Sequence, residues 1–354
     1  MNELTRRGFL VTSALAGAGL LTGCVSATES SNTNNLRASA QPGAQKAPRT
    51  KEESKMVRKV SFKRDGVSLV GNLFVPENFD ENRQYKAVLV AGSFTSVKEQ
   101  MAGTYARKFA ESGFVALAFD YSHYGESEGV PRQFESPVVK LNDLKAATTY
   151  LIGLPFVQAV GMVGVCTSGG NAAYLAADDG RIKALATVAA YLPEPALNEQ
   201  LFGAAEIARR RAAGAAAKLA FEKTGEQVIV PAYSSTDKTS INYIPTDNFD
   251  YYFNKARGGV PEWKNEFAVM SYEPWLDFDP ISKAAKIKIP TIMVHSDGCA
   301  FPDQVKKFHS LLGGVKELAW GDGFHYDYYD QPAQVDYAVK NVTRFLDKHL
   351  AAAA

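Results

Sequence analysis

The sequence predicts an α/β fold, with a mostly parallel central sheet flanked by helices and a cap insertion late in the chain. Three observations carry that prediction. Between residues 56 and 350, short and nearly continuous apolar runs alternate with helical stretches. An alternating hairpin pattern precedes them, and one long segment lacks any buried strand. Strands buried on both faces read as unbroken apolar runs, and strands separated by helices close as a parallel sheet covered on both sides.

Arg58–Phe62 and Val67–Phe74 alternate apolar and polar around Arg64-Asp65-Gly66, a hairpin signal. The buried-strand runs are Ala87–Ala91, Val115–Phe119, Val160–Val165, Ala184–Val188 and Thr291–His295, and Lys316–Trp320 is a last strand. Helical stretches fall at Met101–Glu111, Val138–Leu151, Gly169–Ala177, Asp303–Leu312 and Val335–Leu350. From about residue 191 to 279 the alternation stops. Leu197–Lys223 is rich in Ala and Arg and reads as helix, and residues 243–275 are crowded with aromatics. An excursion of that length is usually functional, so it reads as a cap over the C-terminal edge of the sheet.

Composition sets limits only. Lys and Arg number 39 against 38 Asp and Glu, which leaves no basic field to gather nucleic acid. The three cysteines, Cys24, Cys166 and Cys299, have neither C-x-x-C spacing nor histidines at zinc spacing. The reading calls for no metal and no cofactor.

The N-terminus reads as an address. Arg6-Arg7 in Thr5–Leu10 forms a twin-arginine motif, followed by a weakly apolar run, Val11–Leu21. A spanning helix needs ~20 apolar residues, so this run is a signal segment. It ends in Leu21-Thr22-Gly23-Cys24, similar to a bacterial lipobox, with Cys24 as the lipidated residue. Residues 1–23 are therefore expected to be removed and residues 24–55, polar and Pro-containing, to act as a tether. The expected location is the periplasm or cell surface, reached by the twin-arginine route, with the membrane touched only through the lipid.

The chemistry concentrates in Val160-Gly-Met-Val-Gly164-Val-Cys166-Thr-Ser168-Gly-Gly170. An apolar strand runs into small-x-nucleophile-x-small and a helix follows, the pattern of a nucleophile elbow. The small flanks let strand and helix approach, and the nucleophile sits at a helix N-terminus that favours negative charge. Ser168 fits the spacing loosely, but the strand register ending at Val165 puts Cys166 at the turn. A thiolate is the attacking form of cysteine.

The order nucleophile, acid, histidine points to His325 in Gly-Asp-Gly-Phe-His325-Tyr-Asp, after the last strand. The acid belongs after Thr291–His295. Asp297 is the first choice and Asp303, after Pro302, its rival. The oxyanion hole is expected from the backbone N–H of Thr167 and one from the loop 92–97, with Phe94 first and Thr95 second.

On these residues the chain resembles α/β-hydrolases around the bacterial YcjY type. The likeness rests on Val97-Lys-Glu-Gln100, Tyr105-Ala106, Gly113–Asp120, Gly125–Arg132, Gly164-Val-Cys166 and His325-Tyr-Asp327, and spans about residues 56–350. Gly-x-Cys is also similar to dienelactone hydrolases, and the chain resembles fungal polyketide transferases. The resemblance implies acyl chemistry on a small-molecule substrate. Three functions compete: hydrolysis of an ester or thioester through an acyl-enzyme on a Cys-His-Asp triad, acyl transfer on the same residues, and a thiol-redox or binding lipoprotein in which Cys166 and Cys299 pair.

Overall fold

The computed structural model describes residues 56–350 except position 248. The signal segment, Cys24 and the tether lie outside the described residues.

A hairpin opens the fold: β1 (Val57–Arg64) and β2 (Val67–Phe74) pair antiparallel, with Arg64 opposite Val67. The turn residues Asp65 and Gly66 both have positive φ, +48° and +87°, which matches the right-handed twist of the two strands. There follow β3 (Tyr85–Ala91), α1 (Met101–Glu111), β4 (Val115–Phe119), α2 (Pro137–Ile152), β5 (Val157–Val165), α3 (Ser168–Asp178) and β6 (Ile182–Val188). Ser136 caps α2 by accepting from the Val139 N–H, and Pro137 occupies its first turn, where its missing N–H costs nothing.

The chain then leaves the sheet. The insertion holds α4 (Pro195–Phe202), α5 (Ala204–Thr224), four two-residue strands, β7 (Ile229–Val230), β8 (Tyr233–Ser234), β9 (Asn242–Tyr243) and β10 (Phe267–Ala268), and the short helices α6 (Asp250–Phe253) and α7 (Tyr272–Leu276). The helix expected over Leu197–Lys223 is two helices. Gly203, at φ +76° and ψ 154°, breaks it. The sheet resumes with β11 (Thr291–Gly298), followed by α8 (Pro302–Leu311), β12 (Lys316–Phe324), α9 (Asp327–Asp330) and α10 (Pro332–His349).

Eight strands form one sheet in the order β1-β2-β4-β3-β5-β6-β11-β12. From β4 onward the pairings are parallel. Tyr105 and Phe109 of α1 pack with Val342 and Phe345 of α10 on one face. Leu144 of α2, Leu175 of α3 and Phe308 of α8 cover the other. The parallel strands all point their C-terminal ends to one edge, where open α/β sheets place their sites.

Candidate active site

At the end of β5, Cys166 turns the chain at φ +54°. Left-handed backbone at a residue with a side chain costs of order 1–3 kcal/mol and persists only where its surroundings enforce it. Here the Cys166 N–H donates to the Val188 carbonyl at 3.0 Å, and its own carbonyl accepts from Gly169 at 2.8 Å and Tyr191 at 2.9 Å. A Cβ on Gly164 would lie 2.1 Å from the Ser168 carbonyl oxygen, so position 164 must be glycine for α3 to start where it does. Ser168 is fully buried in α3, and its hydroxyl is 3.0 Å from that of Tyr121. Cys166, by contrast, lines a cavity.

Burial pushes the Cys166 thiol up. Against burial act the Tyr329 hydroxyl, then the Thr167 hydroxyl and backbone, and then the Phe94 backbone, all of which favour the sulfur anion. The backbone groups of Thr167 and Phe94 thus both favour negative charge at the sulfur. The loop bearing Phe94 is fixed from below. Asp120, at the end of β4, accepts from the Lys98 N–H at 2.8 Å and from its ammonium at 2.7 Å. Both side chains are buried, so the pair keeps a single geometry.

His325 follows β12 and is buried. Its Nδ1 accepts the Ala300 N–H at 3.2 Å, and its Nε2 lies 3.0 Å from the Tyr329 hydroxyl. A neutral ring that accepts at Nδ1 carries its proton on Nε2. Burial lowers the imidazole to about 4. Burial thus acts against charge on both the thiol and the imidazole.

Neither expected acid reaches this histidine. The Asp297 side chain is 78% exposed, and its carboxylate stands 3.7 Å from Lys306. Asp303 is 99% exposed and 3.9 Å from the same lysine. The reason is the length of β11. The apolar pattern puts its end at His295, with Asp297 in the following loop. The strand in fact continues to Gly298, with Ser296 opposite Gly321 and Gly298 opposite Phe324, and Asp297 is turned to solvent. The backbone amide of Ala300 occupies Nδ1 instead. Cys166 and Cys299 are both free thiols, and Cys299 contacts the Ser296 hydroxyl at 3.2 Å.

Phe94, Cys166, Thr167 and His325 border one cavity of about 90 Å³. The insertion supplies most of the remaining wall: Tyr233, Ile241, Asn242, Tyr243, Ile244, Phe249 and Trp275, with Phe202 and Tyr191 beside them. Among the described residues lining it there is no Asp, Glu, Lys or Arg. Tyr251, Tyr252 and Trp263, from the same aromatic-rich stretch, are packed in the core. Arg257 clamps the insertion to α9 through two hydrogen bonds to Asp330, at 2.8 and 2.7 Å. Sequence reasoning missed Tyr329 and Ala300. The signal for Tyr329 is its place in the run Tyr326-Asp-Tyr-Tyr329 directly after His325.

Residues 71–210 match the family model described as the dienelactone hydrolase family. The uncharacterized protein PA2218 of Pseudomonas aeruginosa is 31% identical over 98% of this chain and 96% of its own length. Its crystal structure superposes with a TM-score of 0.73, covering 90% of this chain and 100% of that one at 26% identity. The uncharacterized protein YcjY of Escherichia coli is 44% identical, but the match spans 38% of this chain and only 46% of that protein. A thiohydrolase of Aspergillus aculeatus, aneE, is 28% identical over 74% of this chain and 84% of its own. The α/β-hydrolase GrgF from a Penicillium species shares the fold at a TM-score of 0.68 and 22% identity, over 83% of this chain and 99% of that one.

Proposed function

This chain belongs to the dienelactone hydrolase family, within the YcjY-like α/β-hydrolases, and from that premise we propose that it cleaves esters or thioesters of uncharged, largely apolar acyl groups with Cys166 as nucleophile. The observation that carries the reading is the strained Cys166 turn on the cavity wall, where backbone groups of Thr167 and Phe94 favour a sulfur anion. Attack forms the S–C bond while the carbonyl electrons move to oxygen beside those donors, and collapse of that adduct leaves an acyl-enzyme. His325 takes the thiol proton and returns it to the leaving group. To accept at Nε2 the ring must first move its own proton to Nδ1 and give up the Ala300 contact. A cavity with aromatic walls and no fixed charge offers nothing to a substrate carboxylate, which favours a neutral acyl group. The sequence similarity to a protein named a thiohydrolase supports thioesters among the substrates.

Acyl transfer uses the same first half-reaction, and a second nucleophile then replaces water. A matrix of p-nitrophenyl esters and N-acetylcysteamine thioesters, varied in acyl length and charge and assayed with and without an added alcohol, tests both points. The proposal expects free acid as product and at least tenfold preference for neutral over carboxylate-bearing acyl groups. Preferred turnover of anionic substrates would contradict it. We further propose that the enzyme is exported and held at the membrane by lipid on Cys24. This rests on the order of twin arginines, apolar run, lipobox and polar tether.

A further inference from the structure

Beside the proposed histidine and nucleophile stands a third protic group. The Tyr329 hydroxyl is 3.0 Å from His325 Nε2, and it is among the groups that favour a sulfur anion at Cys166. All three residues border the same cavity. Tyr329 is fully buried, and its ring is fixed edge-on against Tyr251 at 4.9 Å and Tyr252 at 6.4 Å. Its helix, α9, is anchored by the Tyr105 hydroxyl, which donates to the Tyr328 carbonyl at 2.7 Å, and by the Arg257–Asp330 pair. The hydroxyl is therefore placed by the fold and not by a flexible loop.

We infer that Tyr329 is the proton relay between Cys166 and His325. The inference rests on the proposed roles of those two residues. In the attack step the thiol proton passes to the Tyr329 oxygen as the hydroxyl's own proton passes to Nε2 of the Nδ1–H ring. The sulfur bonds to the acyl carbon, and the carbonyl π electrons move to oxygen. On collapse the leaving group departs with its bonding electrons, and the imidazolium proton returns along the same path to protonate it. Tyrosine is regenerated unchanged, and no other reactant is needed. Relay through a positioned hydroxyl falls within general acid–base catalysis, which contributes about 10²–10⁴-fold.

The test is Tyr329→Phe, which keeps the ring packing, together with a fluorinated tyrosine at position 329, which keeps the hydroxyl and lowers its pKa. Hydrolysis is followed across pH in mixtures of light and heavy water. The relay predicts a fall in kcat of about 100-fold for Tyr329→Phe with KM within twofold. It predicts a proton inventory that is curved for the natural enzyme and straight for the variant, and a pH profile displaced toward acid by fluorination. A Tyr329→Phe enzyme that loses rate only through KM, or a fluorinated enzyme with an unmoved pH profile, overturns the relay and leaves Tyr329 as pocket wall. Cys166→Ala is run alongside: if it stays active, the nucleophile assignment fails on its own account, whatever Tyr329 does.

Discussion

The Tyr252 hydroxyl of the insertion and the Ser93 hydroxyl of the loop after β3 are 2.7 Å apart. The same Tyr252 oxygen accepts from the Tyr233 hydroxyl at 3.0 Å. One buried oxygen thus ties the cap to the loop that carries the Phe94 N–H. Tyr252→Phe removes it without removing packing. Leaving buried partners unpaired costs about 1–3 kcal/mol, and freeing the loop should lower kcat more than it raises KM. Thermal melts and steady-state kinetics on one preparation check both. A loss of stability with unchanged kcat would show that the tie does not position the oxyanion donors.

Gly164→Ala should abolish the site. Its added carbon would sit 2.1 Å from the Ser168 carbonyl oxygen, a backbone atom that moves only if α3 moves. A cost of about 3 kcal/mol, the upper end for overpacking, is expected, with activity lost even in protein that remains folded. Urea melts and a residual-activity assay measure the two effects. A stable, active Gly164→Ala would contradict the elbow geometry.

Asp297→Asn should leave kcat/KM within about twofold, the scale of surface substitutions, because its carboxylate is in solvent beside Lys306. A fall of tenfold or more would restore Asp297 as the acid behind His325.

Acid should destabilise the fold before it protonates many carboxylates. Burial lowers His123 to about 4, His325 to about 4 and His295 to about 3, from an ordinary 6.5. For His295 the neighbouring His325 adds to burial. Between those values and 6.5 the unfolded chain binds more protons than the folded one. The stability that neutral histidines contribute is therefore complete above pH 6.5 and lost as pH falls toward 4. Tm should fall steadily from pH 7 to pH 4. Chemistry at Cys166 moves the other way: with the thiol raised by burial, its alkylation by iodoacetamide should accelerate with pH into the alkaline range, with no plateau at neutral pH.

Much of this was legible in the sequence, for a local reason. Each of the eight sheet strands lies under an apolar or alternating run, and period is a property of neighbours in the chain. Gly164-x-Cys166 could be placed because the apolar run fixes its register. Asp297 could not, because the extra length of β11 is decided by pairing with β12, more than twenty residues away. Nor does composition show which cap aromatics face the cavity. Phe249 borders it while Tyr251 and Tyr252, two and three residues on, do not, because Phe249 stands before the short helix in left-handed backbone, at φ +51°, which no helical period in the sequence reveals.

Export has its own test. Cys24→Ala should release an active enzyme from the membrane fraction into the soluble one, because every residue of the proposed site lies within the described residues 56–350. Metabolic labelling with a fatty-acid alkyne should mark the natural chain and not the variant. Labelling that persists in Cys24→Ala would remove the lipobox reading.

In the proposed reaction the acyl group passes through sulfur at the elbow. A slowly turned over ester or thioester, quenched in acid during steady state and examined by intact mass and peptide mapping, measures this most directly. The expected result is one acyl adduct, on the peptide carrying Cys166, removable by hydroxylamine and absent from an inactive Cys166→Ala. An adduct on Ser168, or full turnover by Cys166→Ala, would contradict it.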